Sequence, residues 1–231
     1  MTVAEGKGVE TGIPEFKDIP EDHEVLESST PYRGWVWNLR AETVRYGDGE
    51  LQREFIDHTG AVQIIALDEE DRVLFIRQYR HPVRSRTWEI PGGLLDAPGE
   101  SALEAAKREL AEEADYSASH WAVLVDFWTT PGGSSESIRV YLARGLKPTG
   151  ETFARTHEEA DIEVAWIPLE DAVDAILRGD IHNPAVSVGI LAANESRRRN
   201  WETLRDENAE WPTRPEFPKV TPKALASGNR A

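Results

Sequence analysis

At 231 residues and a formal charge of −16, the chain is long enough for one substantial core with an accessory segment. It is too acidic for general nucleic-acid binding, which needs a basic footprint. The absence of cysteine excludes disulfides, thiol catalysis and zinc–thiolate sites, and six scattered histidines lack the spacing of zinc ligands. No stretch approaches the roughly 20 apolar residues that span a bilayer. The Gly-, Glu- and Pro-rich start is not a charged-then-apolar signal, so a cytoplasmic protein without membrane association is expected.

In chain order, residues 1–24 read as a flexible leader. Residues 25–58 form an N-terminal strand segment: Glu24 to Ser29, Trp35 to Tyr46 and Leu51 to His58, with Gly47-Asp48-Gly49 as a hairpin turn. A main domain is expected over 59–200. It opens with two apolar strands, Ala61 to Leu67 and Val73 to Tyr79, joined by the acidic turn Asp68-Glu69-Glu70-Asp71. Trp88-Glu89-Ile90 leads into a glycine loop and a helix. Trp121 to Trp128, Ser137 to Ala143 and Ile162 to Ile167 are further strands. A helix is expected over 169–178, and Asn183-Pro184 opens another running toward Arg199. Residues 201–231 read as a polar, Pro-rich tail in which Trp211 and Phe217 are isolated sticky points. Interleaved strands and helices predict sheet layers covered by helices.

The segment Gly92 to Asp115 is the most informative. Ser101 with Glu104 three residues on forms a capping box, which fixes the helix register. At 100° per residue, Glu109 and Glu113 share one face and Glu112 lies just beside it. Ala102 and Ala105 fall on that face and leave room above it. Leu103, Ala106, Leu110 and Ala114 form a separate apolar stripe, and Arg108 flanks the acidic face. Like charges one turn apart repel, so the cluster calls for a counter-charge from outside the helix. Hard divalent cations take such oxygen ligands. A merely solvated acidic helix is the alternative.

The placement of Glu100, Arg108, Glu109, Leu110, Glu112 and Glu113 resembles the Nudix box, with seven residues between Glu100 and Arg108 as that box requires. Two positions depart from it. Six residues rather than five separate Gly93 from Glu100, and Asp115 replaces the closing glycine. Pro131, 16 residues beyond Asp115 in Thr-Thr-Pro-Gly-Gly-Ser-Ser-Glu, is similar to the ADP-ribose pyrophosphatase subgroup; an ordinary Pro-Gly turn is the alternative. Gln78-Tyr79-Arg80, Trp88-Glu89-Ile90-Pro91-Gly92-Gly93, His157 to Asp161 and Gly179 to Asn183 also resemble that subgroup.

The resemblance implies an α/β fold, a Nudix-type α/β/α sandwich around a mixed sheet, with the N-terminal strands as an antiparallel extension. It implies Mg²⁺-dependent hydrolysis of the diphosphate bond of ADP-ribose to AMP and ribose 5-phosphate, with Mn²⁺ as the alternative ion. Another nucleoside diphosphate sugar, such as GDP-mannose, is the rival substrate. A non-catalytic ADP-ribose-binding regulator is disfavoured, because such regulators often fuse a basic winged helix and lose box glutamates, and this chain does neither.

Glu109, Glu112, Glu113 and the Gly92 carbonyl are then the metal ligands, with Arg108 orienting the glutamates and Glu100 as a supporting partner. Glu112 and Arg108 belong with the catalytic set. The water-activating glutamate is expected on the loop 147–161, as Glu158 with Glu159 second; a solvated acidic loop is the alternative. Arg80 is assigned to diphosphate capture, a surface ion pair being the other reading. Glu89 is expected to bond substrate or a metal-bound water, and Pro131 to line the substrate site. Tyr32, Trp35 and Trp37 serve adenine stacking or a subunit interface, or fill a monomer core. Trp37 is placed with the substrate-binding residues, and a homodimer through the N-terminal strands is expected.

Overall fold

The computed structural model describes residues 16–150, 161–212 and Arg214. Three strands come first: β1 (Val25–Arg33), β2 (Asn38–Tyr46) and β3 (Gly49–Asp57) form an antiparallel sheet in that order. Gly47 supplies the left-handed residue of the β2–β3 turn, with φ of 58°. β1 runs through Arg33, past its expected end. Trp35 and Trp37, expected inside the second strand, lie instead in the β1–β2 turn. There a side chain at Gly34 would strike the Trp37 carbonyl oxygen. These strands pack principally against one another, and Trp35 is 63% exposed.

The sequence continues through β4 (Ala61–Ala66), β5 (Arg72–Arg80), a single 3-10 turn over His81–Val83, β6 (Ser85–Glu89) and β7 (Gly92–Leu94). The glutamate-rich helix is α1 (Ala102–Ala114), followed by β8 (Tyr116–Trp128), β9 (Ser137–Pro148), β10 (Glu163–Pro168), α2 (Leu169–Leu177) and α3 (Pro184–Arg198). β4 pairs parallel with β9 inside a mixed sheet of order β7-β4-β9-β8. A second sheet, β10-β5-β6, is antiparallel throughout.

The largely apolar runs of β4 and β9, interrupted by Gln63 and Arg139, follow from burial on both faces. Val62, Ile64 and Tyr141 point toward α1, packing with Leu103, Ala106 and Leu110. Ile65, Val140 and Leu142 point the other way, against Leu169 of α2 and Val186, Ile190 and Ala193 of α3. Gly189 lets α3 settle on the sheet, since a Cβ there would sit 3.1 Å from the Ile65 Cδ1. The result is an α/β/α sandwich around a mixed sheet, extended by the N-terminal antiparallel strands.

Three local features differ from expectation. Gly92 to Leu94 is a short strand rather than a loop, because Gln63 of β4 offers a pairing edge and a Cβ at Gly92 would collide with the Gln63 amide. Ala105 is fully buried in the core and does not leave space beside the glutamates. Trp211 is not isolated. Its indole N–H donates to the Ser137 hydroxyl at 3.1 Å, and it lies between the guanidinium groups of Arg139, 4.8 Å away, and Arg214, 5.7 Å away.

That segment is a strap. Arg205 exchanges two backbone hydrogen bonds of 3.0 Å with Val123, where the β8–β9 register shifts. The buried Arg139 forks onto Asp126 at 2.8 and 3.0 Å. It also donates to the carbonyls of Ala209 and Glu210 at 2.7 and 2.8 Å. Arg205 adds a second cation to Asp126 at 2.9 Å.

Candidate active site

Helix α1 starts as its sequence dictates. Ser101 accepts from the Glu104 N–H at 3.2 Å, and Glu104 accepts from the Ser101 N–H at 2.8 Å. These bonds, that from the Ser101 backbone foremost, hold the Glu104 carboxyl below its usual pKa. The helix ends on Asp115, which takes the left-handed conformation (φ 60°, ψ 30°) that the box glycine would occupy. Its carbonyl then accepts the Thr149 N–H at 2.9 Å, tying the end of β9 to the helix. The missing glycine therefore leaves the helix terminus intact.

Between those caps, Arg108 gathers the acidic side chains. It forks onto Glu100 at 2.9 and 3.0 Å and reaches Glu112 at 3.0 Å, with Glu109 on the same Nη1 at 2.5 Å. Hydrogen bonding to Glu100 foremost, then the charge of Glu109 and the hydrogen bonds to Glu109 and Glu112, raise the arginine still further above its usual pKa against the opposing effect of burial. Glu113 faces inward, only 6% exposed, and its Oε2 accepts the Gly92 N–H at 2.8 Å. A side chain at Gly93 would collide with the Glu109 carboxylate, so both glycines are needed where strand β7 meets the helix. Glu113 thus stands at Gly92, while Glu109 and Glu112 share Arg108.

Among the described residues, no three His, Asp or Glu side chains stand as a ready-made metal cage. The donor set nonetheless suits a hard divalent cation. Its carboxylates sit on successive helical turns beside a backbone approach cleared by two glycines, and Glu109 and Glu112 share a counter-charge, Arg108.

Arg80, assigned to diphosphate capture with an ion pair as the other reading, is joined to Glu89. Arg80 forks onto the buried Glu89 carboxylate at 2.9 and 2.7 Å. Glu89 is therefore committed to protein partners rather than pointing outward. Pro131 lies on an exposed turn in which the N–H groups of Gly133 and Ser134 both donate to the Thr130 carbonyl at 2.9 Å. This turn is stitched to the end of β3: the Gly133 carbonyl accepts from Ile56 N–H at 2.9 Å and Ser135 N–H returns to the Ile56 carbonyl at 3.0 Å. Trp37, in its β1–β2 turn, remains 41% exposed. Glu158 and Glu159 lie outside the described residues.

Sequence reasoning missed a polar pair at that crossing. His58 Nε2 stands 3.4 Å from Glu136, whose other oxygen accepts from the Thr129 hydroxyl at 2.6 Å. Burial lowers the His58 pKa, against the opposing pull of Glu136 and Asp57. His58 Nδ1 accepts from the Gly60 N–H at 3.1 Å, which places the proton of the neutral ring on Nε2. No spacing rule in the sequence joins residues so far apart.

The sandwich, the glycine pair and the arginine-clasped glutamates define a Nudix domain. The NUDIX domain family matches residues 57–188, and the chain belongs to that family. It is similar to the ADP-ribose pyrophosphatase of Mycobacterium tuberculosis H37Rv, with 43% identity over 195 residues, covering 84% of this chain and 93% of the relative. The ADP-ribose pyrophosphatase of Bacillus subtilis strain 168 is 31% identical over 160 residues, covering 69% and 85%. The methanol dehydrogenase activator of Bacillus methanolicus is 29% identical over 170 residues, covering 73% and 91%. A crystal structure of an ADP compounds hydrolase has the same fold, with a TM-score of 0.66 at 20% identity, covering 81% of this chain and all of that one.

Proposed function

We propose that the chain hydrolyses the diphosphate bond of ADP-ribose to AMP and ribose 5-phosphate, using Mg²⁺, with Mn²⁺ as a substitute. The observation that carries this reading is Glu109 and Glu112 clasped by Arg108, with Glu113 held beside Gly92, in a chain 43% identical to an ADP-ribose pyrophosphatase. Nudix hydrolases generally use divalent cations, and here Glu109, Glu112, Glu113 and the Gly92 carbonyl would hold them. When bound, such ions neutralise the diphosphate and acidify the attacking water. Arg108 keeps the carboxylates from splaying apart. Arg80 takes the diphosphate charge through its exposed guanidinium surface. Glu158, with Glu159 second, accepts the proton as a water oxygen bonds to phosphorus and the bridging oxygen departs with its electron pair. The turn at Pro131 and the ring of Trp37 line the substrate side.

Incubating the purified protein with ADP-ribose, GDP-mannose and UDP-glucose, with and without Mg²⁺, tests this by chromatography of products. AMP from ADP-ribose alone, and only with metal, is the expected result. Turnover of another sugar nucleotide would keep the chemistry and remove the substrate assignment. ADP-ribose bound without turnover would favour a regulator.

The same reading makes the protein a homodimer through β1–β3, supported by a sheet whose aromatic residues Tyr32, Trp35 and Trp37 are exposed. Light scattering is expected to report twice the chain mass; a monomer at micromolar concentration would remove the dimer assignment. Among the described residues no helix is long and apolar enough to cross a membrane, and the cysteine-free composition suits the cytoplasm.

A further inference from the structure

Glu89 is a carboxylate only 6% exposed, and its two oxygens accept four hydrogen bonds. Oε1 takes the Thr87 hydroxyl at 2.6 Å and Arg80 Nε at 2.9 Å. Oε2 takes Arg80 Nη2 at 2.7 Å and the Gln78 amide at 3.3 Å. The strand register explains the convergence. Gln78 of β5 lies directly opposite Thr87 of β6, and Arg80 and Glu89 share that face two residues away in opposite directions, so their long side chains meet across the Gln78–Thr87 pair. Gln78 is itself buried, while the Arg80 side chain remains 45% exposed.

We infer that Thr87 and Gln78 are positioning residues that fix the Arg80 guanidinium for diphosphate capture, acting through the Glu89 carboxylate. The inference rests on the substrate role proposed above for Arg80. An arginine half in solvent has many rotamers to lose when an anion binds, and a rigid carboxylate removes that loss beforehand. Two neutral donors are suited to the task because they anchor Glu89 without adding a second cation. They also share its negative charge, so that less of the Arg80 field is cancelled at the surface. The resulting chain runs from a buried amide and hydroxyl, through a buried carboxylate, to an exposed cation.

Thr87→Val removes the hydroxyl at nearly constant volume, Thr87→Ser keeps it, and Arg80→Ala removes the group being positioned. KM and kcat for ADP-ribose, and in parallel the calorimetric Kd of ADP with Mg²⁺, are measured for these variants and for the Thr87→Val/Arg80→Ala double variant. Thr87→Val is expected to raise KM and Kd roughly tenfold, the worth of one hydrogen bond to a charged group, with kcat within about twofold. Thr87→Ser should match the parent, and the double variant should match Arg80→Ala alone, because the hydroxyl acts through the arginine. An unchanged KM and Kd in Thr87→Val, or additive losses in the double variant, would overturn the inference. Should the parent bind ADP with this pattern yet leave ADP-ribose intact, the substrate reading falls and the positioning role stands. Neither turnover nor ADP binding by the parent overturns both.

Discussion

Replacing Glu113 by Gln is expected to lower kcat for ADP-ribose by about a thousandfold or more, several kcal/mol of lost charge stabilisation, while leaving the thermal midpoint nearly unchanged. The reason lies in what glutamine retains. Glu113 is buried, and its structural duty is to accept the Gly92 N–H at 2.8 Å. An amide oxygen in the same place still accepts that bond, so strand β7 stays docked to α1. What disappears is a negative charge beside Gly92. The same change at Glu112, whose side chain is 41% exposed and bound to Arg108, should cost less. Steady-state kinetics beside a melting curve checks both halves, and a variant retaining near-parental kcat would take Glu113 out of the metal set.

The largest loss of stability is expected from Asp126→Asn, about 3–5 kcal/mol, the penalty for leaving a buried charge without its partner. The Arg139 and Asp126 side chains are only 4% and 5% exposed. Burial presses the Arg139 pKa down, and the Asp126 carboxylate overcomes that pressure and raises it. An amide keeps the shape of the aspartate but presents one donor to two arginines, Arg139 and Arg205. For a chain of this length the change corresponds to a drop in Tm of roughly 10 °C. Urea denaturation measures the effect directly. A loss under 1 kcal/mol would mean that solvent reaches the pair and that the strap contributes little.

The helix bearing the glutamates was legible in the sequence because its signals are local. The Ser101–Glu104 box set the register, and a residue tolerant of left-handed geometry, Asp115, closed the end. The strands β4 and β9 were equally readable as strands, since burial on both faces makes them mostly apolar, although Gln63 and Arg139 interrupt the runs. The pairing of Glu89 with Arg80 was not. Nine residues separate them, and only the β5–β6 register brings them together. Trp211 illustrates the same difficulty at longer range. A lone aromatic in a polar, proline-rich stretch reads as incidental until Ser137 and Arg139, more than 70 residues earlier, are known to lie beneath it. Charge repulsion along a helix is a property of neighbours, whereas the neutralising partner of a buried arginine is a property of topology.

The strap also bears on the order in which the protein acquires its structure. During synthesis, Arg139 emerges 70 and 71 residues ahead of the two carbonyls, at Ala209 and Glu210, that complete its hydrogen bonding. Until those residues leave the ribosome, β9 carries an incompletely satisfied cation into the centre of the sheet. Such a long-range closure is slow relative to the local formation of α1. The strap is therefore a late, long-range closure: it locks a strand pair whose own contacts are far more local.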